Sequence, residues 1–345
     1  MAKSDVLLVW APRFVYPRTP NGHPARRARG VVMARVAERW AATGGPTAAP
    51  EPVADEALAR VHDTRYLEGI AATAGRRVQL DPDTYTSPDS VAVARLAAGA
   101  TVAAVDHALD HGGPGLAFVR PPGHHAERAR AMGFCLYNNA AVAAAHALAR
   151  GLDRVAVIDY DVHHGNGIQW IFYDDPRVLY ISTHQYPFYP GTGAADDVGR
   201  GDGAGTTVNV PLAAGAGDAD LDRVFREVVM PILSAYGPDA VVLSAGFDGH
   251  AADPLGGMQL STGGYATLTR RLWAFAADRC AGRLAVTTEG GYDLQALEEC
   301  LDSTLEVCAA EPPASVAPAA GSTAIAAAAL DSVLRAQSPY WPGVG

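Results

Sequence analysis

The stretch that decides the fold is residues 154–167, RVAVIDYDVHHGNG. Four apolar residues of strand character, Val155, Ala156, Val157 and Ile158, lead into Asp159, Asp161 and His163 at alternate positions. In an extended chain alternate side chains share a face, so the two carboxylates and the imidazole point the same way. Burying such charges bare costs several kcal/mol each. A bound divalent cation offsets that cost, and Asp with His suits zinc or a similar metal. The competing reading is a carboxylate-rich strand end that caps the next helix.

Outward from this stretch, short apolar runs alternate with helical patterns. Strands are expected over 5–10, 115–119, 178–182, 240–244 and 283–287. Helices are expected over 27–40, 55–60, 64–74, 89–110, 138–150, 167–173, 220–236, 262–277 and 325–336. The clearest is 220–236, where Leu221, Val224, Phe225, Val228, Val229, Ile232, Leu233 and Tyr236 keep helical spacing. Pro231 inside it predicts a kink. Residues 78–88, 185–207 and 311–322 read as irregular. No repeat or separating linker is visible, so residues 1–345 read as one α/β domain with a mainly parallel sheet and helices on both faces. Ligands of such sheets sit beyond the carboxyl ends of the strands. His124-His125, the Asp159 to Asn166 run, Asp248 and Tyr292 all fall at such ends.

Composition narrows the function classes. The 345 residues are 49% apolar and carry a net charge of −10, which argues against a nucleic-acid partner. Arg26, Arg27 and Arg29 read as a short solvated basic face. The four cysteines form no C-x-x-C pair, which fits a reducing, cytoplasmic setting. No run approaches the roughly 20 apolar residues of a membrane span. Residues 6–10 are too short for a signal peptide.

The chemistry-bearing residues form a constellation. Asp161 and His163 offer two metal donors, and Asp248, after the strand VVLSAGF, offers a third. Three protein donors leave a position open, as in catalytic rather than structural zinc sites. Alone, Asp248 reads equally well as a helix cap. The tandem His124-His125 follows a Pro-Pro-Gly turn, and Asp159 and Asn166 can accept an imidazole N–H and set its tautomer. Glu289-Gly290-Gly291-Tyr292 puts a phenol on a glycine-hinged turn, where it can stabilise an oxyanion. Gly133-Phe134 and the loop holding Phe188 and Tyr189 bring aromatics where they can wall a slot for an alkyl chain. His250, two residues after Asp248, has a weaker claim as a ligand.

Five motifs in this order, RPPGHHA, GFCLYNNAAVAA, VIDYDVHHGNG, SAGFDGHAADPLGG and EGGYD, resemble the zinc-dependent histone deacetylase superfamily. The likeness is strongest to its class II-type branch and to bacterial histone deacetylase-like and acetylpolyamine amidohydrolases, over residues 23–297. The resemblance implies an arginase/deacetylase-like fold. It implies one zinc ion on Asp161, His163 and Asp248, and active-site histidines His124 and His125 partnered by Asp159 and Asn166. Tyr292 takes the place of the catalytic tyrosine. Phe134, after Gly133, and Tyr189, where many members carry Phe, take the tunnel walls. A structural potassium is implied at Asp159, Asp161, His163 and Ser182, partly through backbone carbonyls.

Asp83 is the candidate for the rim position that holds the substrate's backbone, and Asp81, Asp83 and Glu127 are expected to make the rim acidic. Leu255 is apolar where some polyamine-selective relatives place an acid. The implied activity is hydrolysis of an acetyl or short acyl group from an N-acylated amine such as acetyl-lysine. An acetylpolyamine or an acetylated natural product is the alternative substrate. Some bacterial relatives pair through loops at the mouth, so a homo-oligomer is an expectation. An arginase-like ureohydrolase needs further aspartates for a second metal, where this chain has Gly165 and His250. A non-catalytic acyl-lysine binder has no need of Tyr292.

Overall fold

The computed structural model of the chain describes residues 5–344. The elements begin with β1 (Leu7–Val9), α1 (Arg27–Ala42), β2 (Thr47–Ala48), α2 (Asp55–Ala59), α3 (Thr64–Ala71), α4 (Ser90–His111), β3 (Gly115–Ala117) and α5 (Asn139–Ala149). They continue with β4 (Val155–Asp159), α6 (Asn166–Phe172), β5 (Val178–Gln185), β6 (Thr207–Leu212), α7 (Asp218–Val224) and α8 (Met230–Tyr236). β7 (Ala240–Ala245), α9 (Thr262–Arg279), β8 (Leu284–Thr288), α10 (Leu294–Ala309) and α11 (Ala324–Gln337) complete the fold.

The strands form one sheet in the order β2-β1-β3-β8-β7-β4-β5-β6, and every neighbouring pair is parallel. β4 lies between β7 and β5, so the quoted stretch sits inside the sheet rather than at an edge. Its residues serve two cores. Val155 and Val157 join the cluster built with α4 and α5, whereas Ala156 and Ile158 join the cluster built with α1, α7, α9 and α10. A strand covered on both faces reads as an unbroken apolar run, which is why β4 shows no polar alternation until its end.

Three elements lie outside the sequence expectation. β2 is two residues long and carries almost no pattern. β6, TVNVPL, buries Val208, Val210 and Leu212, but its Asn209 is also buried, donating to Gln169 Oε1 at 2.7 Å. That polar residue hides the strand after a glycine-rich loop. In α10, Leu297, Leu301, Leu305 and Cys308 keep helical spacing, and Asp293 caps the helix by accepting from the Ala296 N–H at 2.8 Å. The cap residue is also the end of the EGGYD turn, so turn and helix start are one signal.

The helix expected over 220–236 departs at its proline. Residues Phe225–Val229 are π-helical, and the Met230 N–H reaches the Phe225 carbonyl five residues back. Pro231 offers no N–H and crowds the carbonyl four residues earlier, and the wider turn accommodates both defects. α4 corrects another expectation: it is long and apolar enough to span a membrane. However, 67% of its apolar window is buried within the protein, where it packs on β1, β3, β8 and α5.

Candidate active site and metal centre

β4 ends at Asp159, and the backbone beyond it is set by side chains rather than by the ladder. Asp159 Oδ1 accepts from the Asp161 N–H at 3.1 Å, and Asp161 Oδ1 accepts from the His163 N–H at 2.9 Å. These successive Asx-type turns keep Asp159, Asp161 and His163 on the site side, while Tyr160 and Val162 go into the core. His164 turns away from the centre: its ring meets Thr192 Oγ1 at 2.8 Å and Gln169 Oε1 at 2.9 Å.

Asp161, His163 and Asp248 converge, with one donor atom from each within 4.8 Å of the others. Each carboxylate is aimed by a backbone N–H. Gly290 donates to Asp161 Oδ2 at 2.8 Å, and Val162 donates to Asp248 Oδ1 at 3.0 Å. The remaining oxygens, Asp161 Oδ1 and Asp248 Oδ2, face His163 Nδ1 at 3.0 and 3.1 Å. Only glycine fits at 290, because a Cβ there would stand 2.0 Å from Asp248 Oδ2.

The electrostatics show what such a centre demands. Burial, then repulsion from Asp161, pushes the Asp248 carboxyl up to about 7. Burial disfavours the His163 cation, yet Asp248 and Asp161 outweigh it and raise the imidazole to about 10. Two fully buried carboxylates thus call for positive charge at the point where the imidazole nitrogen meets them. Two oxygens and one imidazole nitrogen, with no fourth donor in the cluster among the described residues, fit a divalent metal of zinc type with an open position.

The tandem histidines reach the site from the loop after β3. Their rings lie 4.0 Å apart. His124 Nδ1 faces Asp159 Oδ2 at 3.0 Å, and His125 Nδ1 faces Asn166 Oδ1 at 2.8 Å. Their environments push them apart. For His124 burial is outweighed by Asp161 and Asp159, which raise it to about 10. For His125 burial dominates and His124 and His163 add repulsion, so it is held well below its ordinary value and stays neutral.

Tyr292 is buried, and burial raises its phenol well above the usual range. Its ring stands 5.9 Å from Phe134. Phe134 itself follows Gly133, at φ +55°, where a Cβ would lie 2.2 Å from His125 Cδ2. Tyr189 packs its edge 5.1 Å from His125. Phe188, in the loop expected to wall the slot, stacks on the His163 ring at 5.2 Å and 15°. Two buried histidines position this loop: His164 meets Thr192, and His184 Nε2 reaches the Gly193 carbonyl at 2.9 Å.

Asp83 is half-buried beside His23, Phe134 and Arg120 around one cavity. Its carboxyl is raised to about 6, first by burial and then by Asp81. Leu255 is half-buried, its N–H held at 2.9 Å by Asp253 Oδ1. His250 is not among the clustered donors; its Nδ1 accepts from the Ala252 N–H at 3.1 Å.

Four residues correct or extend the sequence reading. Arg29, expected on a solvated face, is fully buried. Its Nε donates to the Gly291 carbonyl at 2.7 Å, its Nη2 donates to the Glu289 carbonyl, and its guanidinium lies 4.9 Å from the Tyr292 ring centre. Glu127, expected at an acidic rim, turns inward and accepts from Asn166 Nδ2 at 2.7 Å. Asp253 accepts from the Tyr292 N–H at 2.6 Å and from the Asp293 N–H at 3.1 Å, clamping the tyrosine turn. Glu289, fully buried, accepts from the Gly123 and His124 N–H groups at 2.6 and 3.1 Å and so fixes the tandem-histidine turn. Burial raises it to about 7. Asp253 and Glu289 each stand inside a motif already singled out, which was the one signal for them.

Fold and donor set together define the class: an α/β protein with an Asp-His-Asp metal-type centre at the carboxyl edge of a parallel sheet. The chain belongs to the histone deacetylase family, whose histone deacetylase domain matches residues 23–308. It is 42% identical over 300 residues to histone deacetylase 15 of Arabidopsis thaliana, covering 85% of this chain and 53% of that protein. It is also 42% identical over 299 residues to the polyamine deacetylase HDAC10 of Homo sapiens, covering 83% of this chain and 43% of the relative. A probable deacetylase of Archaeoglobus fulgidus is 40% identical over 241 residues, covering 70% and 67% respectively. The chain thus spans 53% and 43% of the length of the plant and human relatives. The crystal structure of the HDA15 HD domain superposes with a TM-score of 0.90 at 36% identity, over 99% of this chain and 97% of that one.

Proposed function

We propose that the protein is a zinc-dependent deacetylase that hydrolyses the amide of an acetylated primary amine carried on an alkyl stem. Acetyl-lysine is the leading substrate. The observation that carries this reading is the meeting of Asp161, His163 and Asp248 with a neutral histidine and a buried tyrosine at the floor of an aromatic-lined approach. Asp161, His163 and Asp248 are the residues to hold the metal. When bound, zinc supplies Lewis acidity toward the amide carbonyl and makes a water acidic enough to attack at neutral pH.

The chain's own residues do the rest. His125, neutral, takes the water proton at Nε2, since its Nδ1 is committed to Asn166. His124, held to Asp159, keeps positive charge beside the developing oxyanion, and the tandem pair returns a proton to the departing amine. The Tyr292 hydroxyl donates to the oxyanion. Phe134 and Tyr189 flank the alkyl stem, Gly133 and Gly291 allow close backbone approach, and Asp83 holds the substrate at the rim. Potassium is the second cation of this reading, at Asp159, Asp161, His163 and Ser182. Because His184 Nε2 donates to Gly193, its Nδ1 accepts from Ser182 Oγ at 2.8 Å, which leaves the Ser182 lone pairs for a cation.

An acetylpolyamine is the second reading, favoured by the human polyamine deacetylase among the relatives and by Asp81 and Asp83 near the mouth. Leu255 weighs against it, because an apolar residue gives a second ammonium group no partner. Rates of acetate release from an acetyl-lysine peptide, acetylputrescine and acetylspermidine decide between them. A kcat/KM at least about tenfold higher for the peptide supports the leading reading, and the reverse order replaces it. No hydrolysis of any acetamide by zinc-loaded protein overturns both.

A further inference from the structure

We infer that Glu127 sets the tautomer of His125, acting through the side-chain amide of Asn166. Asn166 lies between the two: its Oδ1 is 2.8 Å from His125 Nδ1, and its Nδ2 is 2.7 Å from Glu127 Oε1. An amide is nearly the same shape when its oxygen and nitrogen exchange places, so packing alone does not choose its orientation. Glu127 chooses it, with the weaker sulfur acceptor Met132 Sδ at 3.3 Å on the same amide nitrogen. A carboxylate only accepts, so the amide must turn its NH₂ toward Glu127 and its oxygen toward His125. That oxygen in turn requires a hydrogen on His125 Nδ1, which leaves Nε2 with a free lone pair. With the amide reversed, an N–H would meet Nδ1, the ring hydrogen would move to Nε2, and His125 could not take a proton there.

The position of Glu127 is itself built. The buried His62 donates from Nδ1 to the Glu127 carbonyl at 3.0 Å, because its Nε2 is occupied by the Asn138 N–H at 3.0 Å. Asn138 Nδ2 holds the neighbouring Ala126 carbonyl at 2.9 Å, and the Glu127 N–H reaches the Arg130 carbonyl at 2.9 Å. Glu127 touches neither the metal donors nor the approach aromatics among its assigned contacts, so it is a positioning residue. The inference rests on the reading of His125 as the proton carrier.

The test begins without a variant. In zinc-loaded protein labelled with ¹⁵N-histidine, the His125 signals, assigned by their loss in His125→Ala, should show hydrogen on Nδ1 and none on Nε2. The opposite tautomer in the native protein overturns the inference. Glu127→Lys then replaces the acceptor with a donor. The amide should reverse, the His125 hydrogen should move to Nε2, and kcat should fall about 100-fold with KM little changed. Adding Asn166→Asp should restore kcat to within about tenfold of the native value, because a carboxylate accepts from both neighbours. A Glu127→Lys protein that keeps the Nδ1 tautomer, or that Asn166→Asp does not rescue, overturns the inference. If the tautomer moves with Glu127 while kcat does not, the role given to His125 fails and the control by Glu127 stands.

Discussion

Removing the hydroxyl of Tyr292 while keeping its ring isolates the oxyanion donor. The ring is packed by Phe134 and Arg29, so Tyr292→Phe should leave the melting temperature nearly unchanged. It should lower kcat by roughly 10²- to 10³-fold, the cost of one preorganised donor. A variant with the native rate in acetate release would remove Tyr292 from the mechanism. Arg29 shows the opposite lesson about single residues. Its neighbours Arg26 and Arg27 are exposed, whereas helical spacing sets Arg29 on the buried face with Val32, Met33 and Val36, a signal that reading the three arginines as one basic patch passes over. Burial of that one guanidinium follows from where α1 meets the turn after β8.

At the scale of elements, the site is a set of turns held by buried acceptors. Asp253 receives two N–H groups of the tyrosine turn on one oxygen and the Leu255 N–H on the other. Asp253→Asn keeps the size but removes the charge and converts one acceptor into a donor, so at least one of these bonds is lost. Charged acceptors of this kind contribute roughly 1.5–3 kcal/mol each. The variant should lose about that much in urea unfolding, and kcat should fall more than KM rises. Equal stability and equal kcat would show that the turn holds itself. The π-helical segment before Pro231 is an element-scale effect of the same sort: one residue's missing N–H is absorbed by five neighbours.

For the whole molecule, two buried carboxylates facing one imidazole couple metal binding to folding. Stripping the protein with a strong chelator should abolish deacetylation and lower the melting temperature, and zinc should restore both. Restored activity with no change in melting would separate the metal from stability. Acid should destabilise the fold through histidines that the fold keeps neutral. Burial, the dominant cause, lowers His62 and His184 from 6.5 to about 4. Between these values the unfolded chain binds the protons and the folded one does not. The stability these two histidines contribute is therefore complete above pH 6.5 and declines as pH falls toward 4, by up to roughly 3 kcal/mol per histidine. Glu289 and Asp83, raised to about 7 and about 6, act in the opposite sense over the same range, so the check is differential: from pH 7 to pH 5 the urea midpoint of the native protein should fall more, or rise less, than that of His62→Gln. Equal slopes for the two proteins would contradict the role of His62.

The sequence alone determined the α/β alternation, the mainly parallel sheet and the candidacy of Asp161, His163 and Asp248, while the resemblance pointed to Asp159 and Asn166 as histidine partners and the structure paired them with His124 and His125. Those features are carried by local patterns: apolar runs of strand length, carboxylates at alternate positions, and motifs at strand ends. β6 escaped because a buried asparagine interrupts its apolar pattern, and α10 because cysteines stand in for aliphatic residues and its cap doubles as a turn. Only the tertiary structure decided that Arg29 meets the Glu289 and Gly291 carbonyls, that Glu127 faces Asn166 and that Asp253 and Glu289 clamp two turns of the site. Each of those assignments joins groups 39 to 262 residues apart. Which buried donor meets which acceptor over such separations depends on how the sheet and its loops close. No spacing along the chain records that.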